Sequence, residues 1–385
     1  MPELYRRVNT CRSCGSQRLS TVLDLGEPFI SDFLAEGEQG ERAPLHMVRC
    51  EDCTLVQTEH TVNRERLFRE YWYKSGTNES MVAALRDVVD TAADYADVQP
   101  SDHVLDIGCN DGTLVNLWAK WDCFNLGIDP AFSSGGIRGY FPDDFPLNAG
   151  TFKVITSVAM FYAQDDPHAF VAAIQRILHP EGVWVVQLQD MASVLRDHAF
   201  DYFCHEHLCL YSLHSFERLI HGHGLEIRDW STNDVNGGSL RIIVGHGNRL
   251  VTSVSREDEP EAWADFGEAI RTLRAETVDL LRALKSADHL VLGYGASTKG
   301  NTLLQYYGIG PELLPAIAER QEQKWGRRTV TGIPIISEVE ARARRPAYFF
   351  CLPWHFAAAF ARRETVPLIL PLPELEIRVR EPVAA

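Results

Sequence analysis

Residues 104–114, Val-Leu-Asp-Ile-Gly-Cys-Asn-Asp-Gly-Thr-Leu, constrain the fold of this chain more than any other stretch. An apolar run ending at Asp106 reads as a buried strand. Gly108 and Gly112 bracket a turn of small polar residues, and Leu114, Leu117 and Trp118 open a helical apolar stripe. Glycines there allow positive φ and a close backbone approach to a ligand. The loop amides and the helix start would seat a polar or anionic group. A second short apolar run, Asn125 to Ile128, ends in Asp129. An acidic side chain at the end of a second strand can take both hydroxyls of a ribose. The pair predicts a nucleoside-bearing ligand bound to a doubly wound α/β sheet.

The 385 residues suffice for two or three domains. No apolar run reaches membrane-spanning length, and the opening residues lack the apolar core of a signal peptide. A cytoplasmic protein without membrane partners is expected, as a monomer or weak homodimer. A net charge of -16 argues against nonspecific nucleic-acid binding. An anionic small substrate would need a local basic pocket. Of nine cysteines, four form Cys11-x-x-Cys14 and Cys50-x-x-Cys53. Two intervening residues let both thiolates of a pair reach one tetrahedral ion, and a closed four-thiolate set implies structural zinc. Chance burial is the bland alternative. A redox role fits less well, since neither pair sits at a strand-to-helix step.

Further along, 61–71 reads as helical and 80–97 as an amphipathic helix with Val82, Leu85, Val88 and Val89 on one face. Between them, Tyr71-Trp72-Tyr73 suits either a ligand site or domain packing. From 104 to 245, strands and helices alternate, which predicts a mainly parallel sheet. Residues 257–285 form a helix. Residues 289–301 repeat the strand, glycine turn and helix, with Gly293, Gly295 and Gly300, and Glu319 ends the next strand. That turn fits a dinucleotide, a substrate diphosphate met by Lys299, or a purely structural role. Residues 330–336 and 348–353 read as strands. Lys324, Arg327 and Arg328 form a basic group facing phosphates or solvent, and His355 opens a helix.

The densest ionisable cluster is Asp201 to Leu208, with His205, Glu206 and His207. It admits acid–base chemistry, a structural polar cluster, or a metal held by two imidazoles. In an extended chain, His205 and His207 would share one face.

Residues 104–114, Gly127-Ile128-Asp129-Pro130 and the helix-then-strand Ile177 to Val186 resemble a class I S-adenosylmethionine-dependent methyltransferase. A longer order resembles the sugar C-methyltransferase family acting on nucleotide-linked 4-keto-deoxysugars. It comprises the two cysteine knuckles, Tyr71-x-Tyr73 before Ser75-Gly76, the methyltransferase core, His205-Glu206-His207, Gly237 to Arg241, and Gly295 to Asn301. The resemblance covers nearly the whole chain. It implies a zinc-binding domain over 1–65, a methyltransferase domain over 66–250, and a Rossmann-like substrate-binding domain over 251–385. It implies methyl transfer to the carbon beside a ketone in deoxysugar biosynthesis of the antibiotic type. His207 would be the base, with Glu206 and His205 orienting it or contacting the sugar, and Tyr73 in the active site. Asp106, Gly108, Asn110, Gly112, Asp129, Ser157 and Ser75 would hold S-adenosylmethionine. Ser297, Lys299, Asn301, Arg241 and Tyr202 would hold the nucleotide sugar. Two positions depart from the family pattern. Cys204 stands where the family has tyrosine, and Ala159 to Gln164 lacks a family histidine. The acceptor atom therefore stays open. O-methylation, a deprotonation-led epimerisation or cyclisation, and a nicotinamide oxidoreductase using the C-terminal glycine turn remain alternatives.

Overall fold

The apolar runs read from the sequence assemble into two separate six-stranded sheets. The computed structural model describes residues 3–68, 74–131, 136–148 and 150–379. Tyr73, the expected active-site tyrosine, lies outside the described residues. The chain divides into two units, and the segments are interleaved. The first unit comprises Met1–Ser20, Val48–Met191 and Leu208–Glu259; the second comprises Thr21–Met47, Ala192–His207 and Pro260–Ala385. The His-Glu-His segment therefore packs in the second unit, not with the chain that flanks it.

In the first unit the strand order is Leu225–Asn233, Ser239–His246, Leu178–Gln189, Phe152–Val158, His103–Ile107, Phe124–Ile128. The last four run parallel, and Ser239–His246 is antiparallel to both its neighbours. The chain passes from His103–Ile107 out to one edge and returns on its other side. The carboxyl end of that strand is thus the topological switch point, where ligands of open α/β sheets bind. Both faces are covered. Helix Glu79–Ala96 buries Met81, Leu85, Val88, Val89, Ala92, Ala93 and Ala96, a stripe with helical spacing. Asn78 caps its start by accepting from the Ser80 amide, and Asp97 closes its end in the left-handed region. Helices Pro167–Ile177 and Leu213–His221 contribute Phe170, Ile174, Phe216 and Ile220 to the other core.

Two expectations change here. The helix expected over 61–71 starts only at Arg64, because His60–Val62 pairs as a strand with Tyr5–Arg7; it is described to Phe68, and 69–71 lie outside the described residues. Arg241, expected at the substrate, is buried in the sheet. Its guanidinium donates to Asp87 Oδ2 at 2.7 Å, Thr91 Oγ1 at 3.0 Å and Gln187 Oε1 at 2.9 Å. It fastens helix Glu79–Ala96 to the sheet.

In the second unit, strands order as Ile335–Ser337, Ile317–Glu319, Val291–Tyr294, Tyr348–Cys351, Leu368–Leu370, Glu376–Arg378, all parallel but the last. Val291–Tyr294 occupies the switch position. Helix Pro260–Ser286 buries Trp263, Phe266, Ile270, Leu273, Val278 and Leu281 on one face. The strand expected over 330–336 is broken. Arg328–Thr329 and Ile335–Ser337 flank a turn in which the Thr329 carbonyl and hydroxyl accept from the Gly332 and Ile333 amides. No helix among the described residues is long and apolar enough to cross a membrane.

The Arg241 network makes a stability prediction. Arg241→Met should lower the free energy of unfolding by about 1–3 kcal/mol, since it strips three acceptors of a buried donor. Arg241→Lys should recover only part of this, because an ammonium lacks the planar fork. Urea denaturation of the three proteins measures it, and equal midpoints would remove the clamp from the account.

Candidate active site

The two cysteine knuckles converge. Cys11 Sγ lies 3.4 Å from Cys53 Sγ, and Cys14 Sγ lies 3.5 Å from Cys50 Sγ. All four sulfurs fall within 4.8 Å of one another. Thiolates around a tetrahedral zinc sit about 3.8 Å apart, given Zn–S bonds of about 2.3 Å. Hydrogen bonding from the Cys53 thiol pulls Cys11 down to about 5, burial pushes Cys14 up to about 11, and the same Cys11 hydrogen bond, then burial, pushes Cys53 higher still. A divalent ion would be held by all four as thiolates. The donor set fits structural zinc, as the spacing predicted.

At the first switch point, Gly108 has φ +77°, and a Cβ there would come within 2.6 Å of the Met160 side chain. Gly112 has φ +81° and Asn110 φ 51°. The turn is held from both ends. The Asn110 amide donates to Asp129 Oδ2 at 3.1 Å, its side-chain oxygen accepts from the Ser75 amide at 3.2 Å, and the Ala131 amide donates to Asp129 Oδ1 at 2.7 Å. Asp106 lies below, with its Oδ1 accepting from Thr156 Oγ1 at 2.6 Å. Burial pushes the Asp106 carboxyl up to about 7, the Asp129 charge pushes the same way, and the Thr156 hydrogen bond opposes them. Asp129 is also raised by burial. Asp111 Oδ1 accepts from the Thr113 amide, so the short helix Thr113–Leu117 is capped internally. The seat expected for a polar or anionic group is therefore lined by carboxylates and suits hydroxyls and positive charge. S-adenosylmethionine brings both, as ribose hydroxyls and as sulfonium and ammonium groups, so the residues present fit it. Ser157, also expected here, is fully buried and accepts from Trp184 Nε1 at 3.1 Å in the core beneath.

In the second unit, residues 203–208 form a turn, not the extended strand considered above. The two imidazoles point to different partners. His205 Nε2 donates to the Ala43 carbonyl at 2.9 Å, and His207 Nδ1 donates to the Tyr202 carbonyl at 2.6 Å. A carbonyl only accepts, so the neutral His207 carries its proton on Nδ1 and Nε2 is its basic nitrogen. Burial pulls His207 down to about 3, with the Lys299 charge acting the same way and the Tyr202 carbonyl opposing. Burial, then the Asp32 charge, pushes Glu206 up to about 7. The Tyr202 ring lies 4.4 Å from the His207 ring, and Lys299 Nζ lies 5.8 Å from the Tyr202 centroid.

The remaining expected substrate residues sit on the glycine turn of this unit. Ser297 caps helix Thr298–Tyr307 by accepting from the Gly300 amide at 2.9 Å. Asn301 Nδ2 holds Ser31 Oγ and the Asp32 carbonyl, both at 3.0 Å, while its Oδ1 is buried with no hydrogen-bond partner. Burial pulls the Lys299 ammonium below its ordinary value, with Asp201 and Cys204 opposing. Sequence reading placed Asp201 in the ionisable cluster without a role, set His355 at a helix start, and missed Trp354. Asp201 is 1% exposed, its Oδ2 accepts from Trp354 Nε1 at 3.0 Å, and its Oδ1 has no hydrogen-bond partner. His355 Nδ1 is likewise buried and unpartnered, and burial and Lys299 hold the ring neutral. Only the folding of 200–207 and 352–356 against the turn makes these residues neighbours.

The same turn disfavours a nicotinamide oxidoreductase. Glu319, where a ribose would be held, accepts from the Ala296, Arg320 and Gln321 amides at 2.8, 2.7 and 2.9 Å. Lys324 Nζ donates to the Ala296 carbonyl at 2.8 Å. Arg327 and Arg328 hold the Phe33 and Ala35 carbonyls. The dinucleotide seat is closed by the protein's own side chains, and the basic group is engaged on backbone.

Asp106 gives the donor seat a pH signature. Its raised carboxyl retains a proton below about pH 7, and a cationic ligand favours the carboxylate. Affinity for S-adenosylmethionine should rise as pH climbs from 5.5 towards about 7.5 and then level off. Calorimetry in buffers of different ionisation enthalpy should show proton release on binding at pH 6. Asp106→Asn should weaken binding and flatten the profile; an unchanged profile would detach Asp106 from the cofactor.

Three protein families match in succession. Residues 11–68 match a zinc binding domain, 77–229 a methyltransferase domain, and 234–368 a C-methyltransferase C-terminal domain. The C-methyltransferase NovU of Streptomyces niveus is 27% identical over 410 residues, covering 97% of this chain and 98% of NovU. Solved structures overlap less. The methyltransferase of a Haloferax volcanii complex with the Trm112 activator is 19% identical, covers 45% of this chain and 95% of its own, and has a TM-score of 0.37. An S-adenosylmethionine-dependent methyltransferase from Clostridium acetobutylicum is 12% identical, covers 43% and 92%, and has a TM-score of 0.34. The assignment rests on the three matched domains, their order, and the full-length relative. With a four-thiolate zinc cluster ahead of a carboxylate-lined switch point, these matches make the chain an S-adenosylmethionine-dependent methyltransferase, similar over nearly its whole length to a C-methyltransferase.

Proposed function

We propose that this methyltransferase acts on the carbon beside the ketone of a nucleotide-linked keto-deoxysugar, with His207 as general base. The observation that carries the reading is the Nδ1–H of His207 held on the Tyr202 carbonyl at 2.6 Å, which makes Nε2 the basic nitrogen. Carbon acquires a nucleophilic pair only by losing a proton next to a carbonyl. S-adenosylmethionine, when bound, supplies an electrophilic methyl on a positively charged sulfur. The chain's own residues do the rest. His207 Nε2 takes the α-proton and the electron pair passes into the enolate. Glu206, whose carboxylate oxygen lies within 4.8 Å of the His207 ligand atom, balances the imidazolium. Lys299 stabilises the enolate oxygen, the role that preorganised cations play at developing oxyanions. The unpartnered Oδ1 of Asp201 and Nδ1 of His355 supply the hydrogen-bonding positions that ring hydroxyls satisfy. A nucleotide sugar suits the second unit because Lys299 stands at the start of helix Thr298–Tyr307 as a cation for an anionic acceptor.

His207→Ala should abolish methyl transfer and also solvent deuterium exchange at the acceptor α-carbon, each by at least about 10²-fold. S-adenosylmethionine affinity should stay at the wild-type value, since the donor seat belongs to the other unit. Labelled S-adenosylmethionine with a panel of nucleotide-linked keto sugars reads the first effect, and mass spectrometry in D₂O the second. A fully active variant would remove His207 as base, and transfer to a hydroxyl without α-exchange would replace the carbon acceptor.

A further inference from the structure

The turn at 203–208 places a thiol beside the base. Cys204 Sγ, a Glu206 carboxylate oxygen and a His207 ring nitrogen lie within 4.8 Å of one another, and all three residues are buried. This is a different set from the two-imidazole metal site that the sequence suggested, because His205 turns away to the Ala43 carbonyl. Two features make it a ligand set. Thiolate, imidazole and carboxylate are the three protein donors that divalent zinc accepts, and three of them leave one coordination position open. His207 Nδ1 donates to a backbone carbonyl, which is how metal-bound imidazoles are oriented and which leaves Nε2 as the nitrogen a metal would take. Metal bonds of about 2.0–2.3 Å put ligand atoms about 3.3–3.8 Å apart, so closure requires a contraction of at most about 1.5 Å. Rotation about Cys204 χ1 or the Glu206 side chain supplies movements of that size.

We propose that Cys204, Glu206 and His207 form a second, open site for a soft divalent cation such as Zn²⁺, and that filling it silences the enzyme. The binding stands on this geometry alone. The silencing rests on the reading of His207 as base, because the ion takes the nitrogen that would receive the proton. No electron transfer is involved: the thiol proton is released to solvent as the metal–sulfur bond forms. Lys299 borders the same ground, so an entering ion meets a resident positive charge and should bind more weakly than the ion in the closed four-cysteine cluster.

The test titrates Co²⁺ into the full chain with its four-cysteine cluster already loaded with zinc. The expected result is one further equivalent with a sulfur-to-cobalt charge-transfer band, absent in Cys204→Ala and Cys204→Ser, with the zinc content unchanged. In parallel, Zn²⁺ added to wild type should suppress methyl transfer and α-carbon exchange more than tenfold, with the same midpoint as occupancy. A chelator too weak to strip the four-cysteine cluster should restore both. No second equivalent, or the same band in both Cys204 variants, would overturn the site. This would hold whatever His207→Ala does, so its failure is distinct from failure of the base assignment. A second, Cys204-dependent equivalent that leaves α-carbon exchange intact would overturn the silencing and would count against His207 as the base.

Discussion

A carboxyl held inside the first sheet without a countercharge is the constraint from which the donor half of this enzyme follows. Asp106 is 4% exposed, lies near the carboxyl end of an inner strand with a parallel neighbour on each side, and has Asp129 as its charged neighbour. Raising its titration from the ordinary range to about 7 corresponds to about 4 kcal/mol of unfavourable ionisation in the isolated protein. Thr156 offsets part of this through one hydrogen bond. A fold that only needed to be stable would place an apolar side chain there. The site is instead prepared for a ligand that carries positive charge and hydroxyls, and the strain in the turn above it belongs to the same preparation. Gly108 takes a left-handed conformation that a Cβ would jam against Met160, so the chain passes close to whatever occupies the seat.

The two glycine turns of this chain show how little a turn motif says about its ligand. Each follows an inner strand with a parallel neighbour on each side, and each has an acidic residue at the end of the next strand. At the first, Asp129 accepts two amides and stays part of an open, carboxylate-lined seat. At the second, Glu319 accepts three amides and Lys324 closes over the Ala296 carbonyl. The same backbone device has become a support for Lys299 and for the turn that carries His207. Specificity at such turns lies in what fills the hollow, not in the glycines.

Features whose physics is local were legible in the sequence. The cysteine knuckles need two residues between thiols, and the four sulfurs do meet. The first glycine turn, helix Glu79–Ala96 and the long helix Pro260–Ser286 follow from apolar spacing and caps. What could not be read depends on partners distant in sequence. Arg241 looked available until the fold put Asp87, Thr91 and Gln187 around it. Residues 330–336 alternate like a strand, yet the Thr329 hydroxyl and carbonyl divert the backbone into a turn. His205 and His207 would share a face only if extended, and residues 42–45 and 200–203 are what bend them apart. Asp201 was visible only as part of an ionisable cluster and His355 only as a helix start; they stand out because burial leaves one polar atom on each without a partner.

The electrostatics around His207 also restrict how an acceptor can bind. Burial and the Lys299 charge together hold the imidazole down to about 3, which makes it a weak base for a proton on carbon. Proton transfer works best when donor and acceptor acidities approach one another, so the carbon acid must be strengthened to match. Lys299 is the cation placed to do this, and it is also one of the groups that weakens the base. Coulomb interactions fall off with distance, so the ammonium aids the reaction only where it stands nearer the enolate oxygen than the Nε2 it disfavours. In the proposed reaction the ketone oxygen therefore points at Lys299, the α-hydrogen points at His207, and the ring hydroxyls are left to Asp201 Oδ1 and His355 Nδ1. That assignment leaves two ionisable groups of the turn, the Cys204 thiol and the His205 imidazole held on the Ala43 carbonyl, with no part in the proton transfer.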